Sequence, residues 1–140
     1  MQYGRIMGID YGQVRIGIAL TDLMKLIASP YEVYKSVSKS SDLEYFAKLV
    51  KEKEVEKIVI GLPLNMDGSE GKRAIATRQF GEALQSKTGL PVVYQDERLS
   101  SVEAEEYLLS ADVRRDKRKN LIDKVSASII LEEYLRSNCK

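Results

Sequence analysis

The stretch from Ile6 to Thr21, IMGIDYGQVRIGIALT, constrains the fold of this chain more than any other. Ile6 to Tyr11 is short, apolar and β-branched enough for a strand. Gly12 and Gln13 supply a turn, and Val14, Ile16 and Ile18 alternate in a second strand. Asp10 is the residue out of place. An acid at the end of an apolar strand is costly to bury unless something charged meets it. Gly8, Gly12 and Gly17 leave the surrounding backbone bare, so a ligand or metal has room to come close. The plainer reading is that Asp10 simply begins the turn.

The residues after the hairpin set the fold class. Leu26 to Tyr34 reads as a third strand, and Pro30 inside it predicts an edge position, because proline cannot donate to a ladder. Three β-elements in succession imply an antiparallel meander. Ser36 to Ser41 reads as a polar loop. Ser41 and Glu44 have capping-box spacing, and Leu43, Phe46, Ala47 and Val50 share one face of a helix to about Lys53. Lys57 to Gly61, KIVIG, is a short buried strand reached through a helix, which predicts pairing parallel to the first strand.

The end of that strand opens into GLPLNMDGSEGKRA, and such crevices beyond strand ends are where α/β proteins place ligands. Asn65, Asp67, Gly68 and Gly71 predict an irregular loop. Lys72 and Arg73 sit near the start of the next helix, where a phosphate is well served, though a solvated turn has the same composition. That helix is expected from about Glu70 to Lys87, with Thr77, Phe80, Gly81 and Leu84 on one face and Gly89 as its stop.

Leu90 to Gln95 reads as another parallel strand, ending in Asp96, Glu97 and Arg98, which repeats the acidic strand end of Asp10. Ser100 and Glu103 form a second capping box for a helix to about Ser110. Arg114 to Lys119, RRDKRK, reads as a charged loop with five basic residues and one acid. Asn120 to Ser137 is a long final helix, apolar over a wide arc that Asp123 interrupts. Helical spacing puts Asp123 on a face with Ala127, Ile130 and Tyr134, although an acid in a first turn also serves the helix dipole. Ser126, Ala127 and Ser128 are small enough to let this helix approach a sheet closely.

Composition narrows the chemistry. The chain has no histidine and one cysteine, Cys139, so His-based catalysis, Ser-His-Asp and Cys-His pairs and a structural zinc cluster are excluded. Hydrolytic chemistry then rests on carboxylates, most economically with oxygen-loving Mg²⁺ or Mn²⁺. A net charge of +1 announces no global field, so any basic surface is local. The length, 140 residues, suits one domain with a real core. No apolar run approaches a membrane span and the start has no signal-peptide core, so a cytosolic protein is expected.

GIDYG with its hairpin, GLPLNMDG, the DER triplet and the closing IDKVSASIILEEYL together resemble the YqgF (RuvX) family of the RNase H-like superfamily, alongside the RuvC-type Holliday-junction resolvases. The likeness covers nearly the whole chain, in order and spacing. It implies a five-stranded mixed sheet, three antiparallel strands then two parallel ones, with helices on both faces, in agreement with the reading above. It implies a catalytic, metal-holding set of Asp10, Glu97 and Asp123, with Asp96 as the alternate in the second motif. Asp10, at the sheet centre, would be shared between two divalent ions. Asn65, Lys72 and Arg98 become candidates for holding phosphate oxygens, with Arg73 beside them.

Arg114, Arg115, Arg118 and Lys119 form the densest cationic surface for a nucleic-acid backbone. The family is described as a nuclease that processes the 5′ end of pre-16S rRNA, and in an older description as a Holliday-junction resolvase. Precursor rRNA is thus the expected partner ahead of branched DNA. No membrane is expected, and the chain should be a monomer or weak homodimer.

Two other classes compete. The first hairpin also resembles the phosphate hairpin of the actin–sugar-kinase ATPases, but those enclose ATP between two such domains and 140 residues supply one. The other is a nucleic-acid-binding module that kept the fold and lost the chemistry. The presence of all three acids argues against it.

Overall fold

A computed structural model describes residues 4–65, 67–96 and 115–138, with side chains of the last segment described for 125–136. The elements in chain order are β1 (Arg5–Tyr11), β2 (Arg15–Thr21), β3 (Ala28–Lys35), α1 (Lys39–Glu52), β4 (Val55–Leu62), α2 (Lys72–Thr88), β5 (Val92–Asp96) and α3 (Arg115–Asn138). The strands form one sheet in the order β3-β2-β1-β4-β5. β1 pairs antiparallel with β2 and parallel with β4, β2 pairs antiparallel with β3, and β4 pairs parallel with β5. This is the expected three-plus-two arrangement, with Pro30 on the edge strand. The expected capping-box helix from Ser100 to Ser110 lies outside the described residues.

Helices cover both faces. On one face α1 and α2 lay Phe46, Leu49, Val50, Phe80 and Leu84 over Met7, Ile9, Ile16, Ile18, Ile58 and Ile60. On the other, Ala127, Ile130, Leu131 and Leu135 of α3 pack on Ile6, Ala19 and Val59. β2 is therefore buried on both sides from Ile16 to Thr21, and the alternation expected for it is absent. Val14, expected to begin that strand, lies exposed in the turn before it. Gly8 shows how closely α3 approaches: a Cβ there would lie 2.9 Å from both the Ala127 carbonyl oxygen and Leu131 Cβ. The small residues Ser126, Ala127 and Ser128 make that approach possible, and all three are buried.

Helix α1 starts earlier than the capping box predicts. Its N-cap is Ser38, whose hydroxyl accepts from the Ser41 amide at 3.2 Å, so Lys39 to Ser41 are helical rather than loop. The earlier start carries Asp42 into the first turn, where it is buried. Its carboxylate accepts from Tyr34 Oη at 2.9 Å, Ser36 Oγ at 2.5 Å and the Val37 amide at 2.9 Å, tying β3 to α1.

Burial pushes the Asp42 carboxyl up, but the bonds from Ser36, Val37 and Tyr34 outweigh it and hold the group below its ordinary value of 3.8. A depressed folded-state value means the stability is fully present above the unfolded value and drains away as pH falls through the folded one. Asp42→Ala is expected to cost about 1–3 kcal/mol at pH 7, from stranded donors. Urea unfolding at a series of pH values checks this: the gap from wild type should hold above pH 3.8, begin to narrow as pH falls below it, and finish narrowing once pH is below the folded-state value. A gap constant down to the most acid pH would mean that the lost stability is packing and not charge.

Candidate active site

Asp10 is half-buried, one residue from the C-terminal end of β1, the central strand. Its partner on β2 is Gly17. On the other side β1 and β4 pair as far as Ile9 with Ile60, so Gly61 is the next residue of β4 alongside. With glycine on both neighbouring strands, no side chain at those two positions crowds the carboxylate. Alternation places Asp10 on the face of Ile6 and Gly8, which α3 covers.

The direction of α3 brings its start to the same end of the sheet. Ala127 lies over Gly8 in mid-strand, whereas Tyr134, two turns later, accepts from Lys57 Nζ at 2.9 Å near the beginning of β4. The helix therefore runs against β1, and its backbone at position 123 is one turn beyond Ala127 towards the Asp10 end. The side chain of Asp123 lies outside the described residues.

The β5 triplet is divided. β4 and β5 pair as far as Leu62 with Asp96, which is exposed. Alternation groups Asp96 with Tyr94 and Val92, which pack on the α1–α2 side, the face opposite Asp10. Glu97 and Arg98 lie outside the described residues, as does Arg114. Among the described residues no three acids come together as a metal-holding group.

Between β4 and α2 the chain forms an ordered turn. The Asn65 amide donates to the Ser69 carbonyl at 2.9 Å, the Gly68 amide to the Asn65 carbonyl at 2.8 Å, and Asn65 Nδ2 to Ser69 Oγ at 3.0 Å. Asp67 Oδ1 accepts from the Ser69 amide at 2.9 Å. The N-cap of α2 is Gly71, which makes no side-chain cap, and exposed Lys72 and Arg73 follow it as the first helical residues. The loop and the basic helix start expected from the sequence are thus beside each other, past the C-terminal end of β4.

The basic run departs from expectation. Arg115, Arg118 and Lys119 belong to α3 and are not in a loop. A run of charge is usually solvated, which is why the charge pattern points to a later helix start. Lys and Arg are nevertheless good helix formers, and no Gly or Pro interrupts the run into the apolar arc beyond it. The side chains of Arg115, Arg118 and Lys119 lie outside the described residues.

A family model described as "RuvX: Holliday junction resolvase" matches residues 4–137. The chain belongs to the RuvX family. A relative from Halothermothrix orenii is 52% identical over 131 residues, covering 94% of each chain, and one from Syntrophomonas wolfei is 49% identical over 131 residues, covering 94% of this chain and 93% of its own. Both carry the name "Putative pre-16S rRNA nuclease". Among solved structures, Thermus thermophilus RuvC in complex with a Holliday junction substrate superposes with a TM-score of 0.62 at 14% identity, over 97% of both chains. The Fowlpox virus resolvase with junction DNA gives 0.59 at 14% identity, over 97% of this chain and 99% of that one. The fold of this RuvX-family chain is therefore RNase H-like.

One group at this end of the sheet had no sequence signal. Arg78 of α2 donates from Nε to Glu70 Oε1 at 2.8 Å and from Nη2 to Glu70 Oε2 at 2.9 Å. Its guanidinium stands over the Tyr94 ring, 4.9 Å from the centroid, and its carbonyl accepts from Tyr94 Oη at 3.3 Å. Hydrogen bonds from Arg78 hold the Glu70 carboxyl below its ordinary value. Burial raises the Tyr94 hydroxyl. Glu70 and Arg78 are eight residues apart across a loop-to-helix boundary, a spacing that neither helical nor strand periodicity marks.

Proposed function

We propose that this RuvX-family chain is a metal-dependent nuclease that hydrolyses phosphodiester bonds and processes the 5′ end of pre-16S rRNA. The observation that carries the reading is Asp10: an acid at the end of the central strand, on the face of α3, with glycine on both neighbouring strands. Relatives of 49% and 52% identity bearing the pre-16S rRNA nuclease name support the choice of substrate. Among the described residues no helix is long and apolar enough to cross a membrane, consistent with a cytoplasmic enzyme working on RNA.

The donor chemistry fits a hard divalent cation. The candidate ligands are carboxylates, histidine is absent, and Asp10 has open backbone beside it. Asp10, Glu97 and Asp123 would hold Mg²⁺ or Mn²⁺, which supplies charge stabilisation at the scissile phosphate and a more acidic water. Asn65, Lys72, Arg73 and Arg98 hold phosphate oxygens near the cut. Arg114, Arg115, Arg118 and Lys119 hold the backbone further away, at the start of the helix that carries Asp123. Asp96 is the weaker ligand candidate, because alternation groups it with Tyr94 on the other face of the sheet.

The test is a cleavage assay with purified protein and Mn²⁺ or Mg²⁺, offering precursor 16S rRNA, unrelated single-stranded RNA and four-way DNA junctions in parallel. Cleavage of the precursor ahead of the others is the expected result. Glu97→Gln should abolish it, while Asp96→Asn should keep a substantial part of the wild-type rate. Rates in the opposite order would transfer the ligand role to Asp96. A second reading, junction resolution, has the family description and the two junction-bound structures in its favour. It requires paired symmetric cuts and hence a dimer. Preferred junction cleavage by a dimer would replace the RNA assignment, and binding without cleavage by any metal would leave a silent binding module.

A further inference from the structure

We propose that Arg78 is a positioning residue for nucleic-acid binding: with Glu70 and Tyr94 it clamps the β4–α2 loop in the shape that presents Asn65, Lys72 and Arg73. The proposal deepens the nuclease reading and rests on it. Arg78 joins three elements at once. Its two nitrogens grip Glu70 at the end of the loop, its main chain lies in α2, and its guanidinium and carbonyl both engage Tyr94 of β5. Glu70 also bridges back to Leu64, so fixing Glu70 closes the loop across its base. Gly81 seats the third member: a Cβ there would lie 2.3 Å from Tyr94 Oη. The clamp thus couples the loop after β4 to β5, the strand that ends at Asp96.

The clamp is exposed, and that separates positioning from stability. The side chains of Arg78 and Glu70 are 41% and 37% exposed, a setting in which an ion pair adds little to folding. A two-pronged Arg–carboxylate pair still fixes geometry in a way a point charge cannot. Arg78→Lys keeps the charge and loses both the fork and the planar stack on Tyr94. It is a clean probe of orientation for that reason.

The experiment measures three quantities for wild type and Arg78→Lys. They are hydrogen exchange at the Asn65, Gly68 and Ser69 amides, affinity for a fluorescent single-stranded RNA in chelator, and KM and kcat for metal-dependent cleavage. The three amides are hydrogen-bonded inside the loop and report its order. The expected result is exchange about tenfold faster at those amides, affinity about tenfold weaker, and KM raised with kcat and Tm unchanged. The charge-reversed pair Glu70→Arg with Arg78→Glu should recover part of the affinity by restoring the fork. Faster loop exchange with unchanged RNA affinity would overturn the positioning role, as would unchanged exchange. Wild-type protein that binds no RNA would instead overturn the nuclease reading, a separate failure.

Discussion

Asp10→Asn is expected to lose metal-dependent cleavage by about a hundred- to a thousandfold, the scale of removing one directly stabilising group from an active site. The variant should remain folded and unfold in chelator at the same or a higher temperature than wild type. The reason is electrostatic. Asp10 stands at the end of the sheet towards which α3 brings the backbone of position 123, and the proposed site would gather further carboxylates beside it. Like charges held together without a cation repel, and neutralising one relieves the strain. Single-turnover cleavage with Mn²⁺ and thermal unfolding in chelator check the two halves. Full activity, or a large drop in Tm in chelator, would make Asp10 a structural residue of the turn.

Gly8→Val should be the most destabilising change on β1. Even the first added carbon would sit 2.9 Å from the Ala127 carbonyl oxygen and 2.9 Å from Leu131 Cβ. Neither neighbour is the far end of a flexible side chain, so α3 as a whole must move outward. Overpacking a core costs about 1–3 kcal/mol, and the rigid backbone contact places this case at the upper end. For a chain of this size about 3 kcal/mol lowers Tm by roughly 10 °C. Activity should fall further than stability alone explains, because the helix displaced is the one that carries Asp123. Calorimetry and cleavage assayed well below Tm separate the two effects. A Tm within about two or three degrees of wild type, on the scale of a minor surface change, would show that α3 is not pinned against Gly8.

The strands and their pairing sense were legible because short apolar runs bounded by turn residues carry their own signal. The helix between consecutive parallel strands fixed the crossover type. Asp10 was legible for a chemical reason: an acid closing an apolar strand stands out without any knowledge of its neighbours. Local patterns misled where two signals overlapped. The Ser41–Glu44 capping box points to one start, but the cap lies three residues earlier at Ser38, where the buried hydrogen bonds of Asp42 hold the first turn. The basic run reads as a loop because a run of charge is usually solvated, yet propensity and continuity with the apolar arc carry α3 back to Arg115.

The sequence by itself determined the order of elements, the three-plus-two sheet and the presence of an acid at the end of its central strand. It did so because period, turn chemistry and charge act over a few neighbouring residues. Only the tertiary structure decided which face each side chain takes. The β4–β5 register groups Asp96 with Tyr94, away from Asp10, although the sequence leaves Asp96 as an alternate to Glu97. The contact between Gly8 and Ala127, the three hydrogen bonds on Asp42 and the grip of Arg78 on Glu70 and Tyr94 all join residues from separate elements. Their geometry arises when whole elements pack, and no local pattern of residues encodes it.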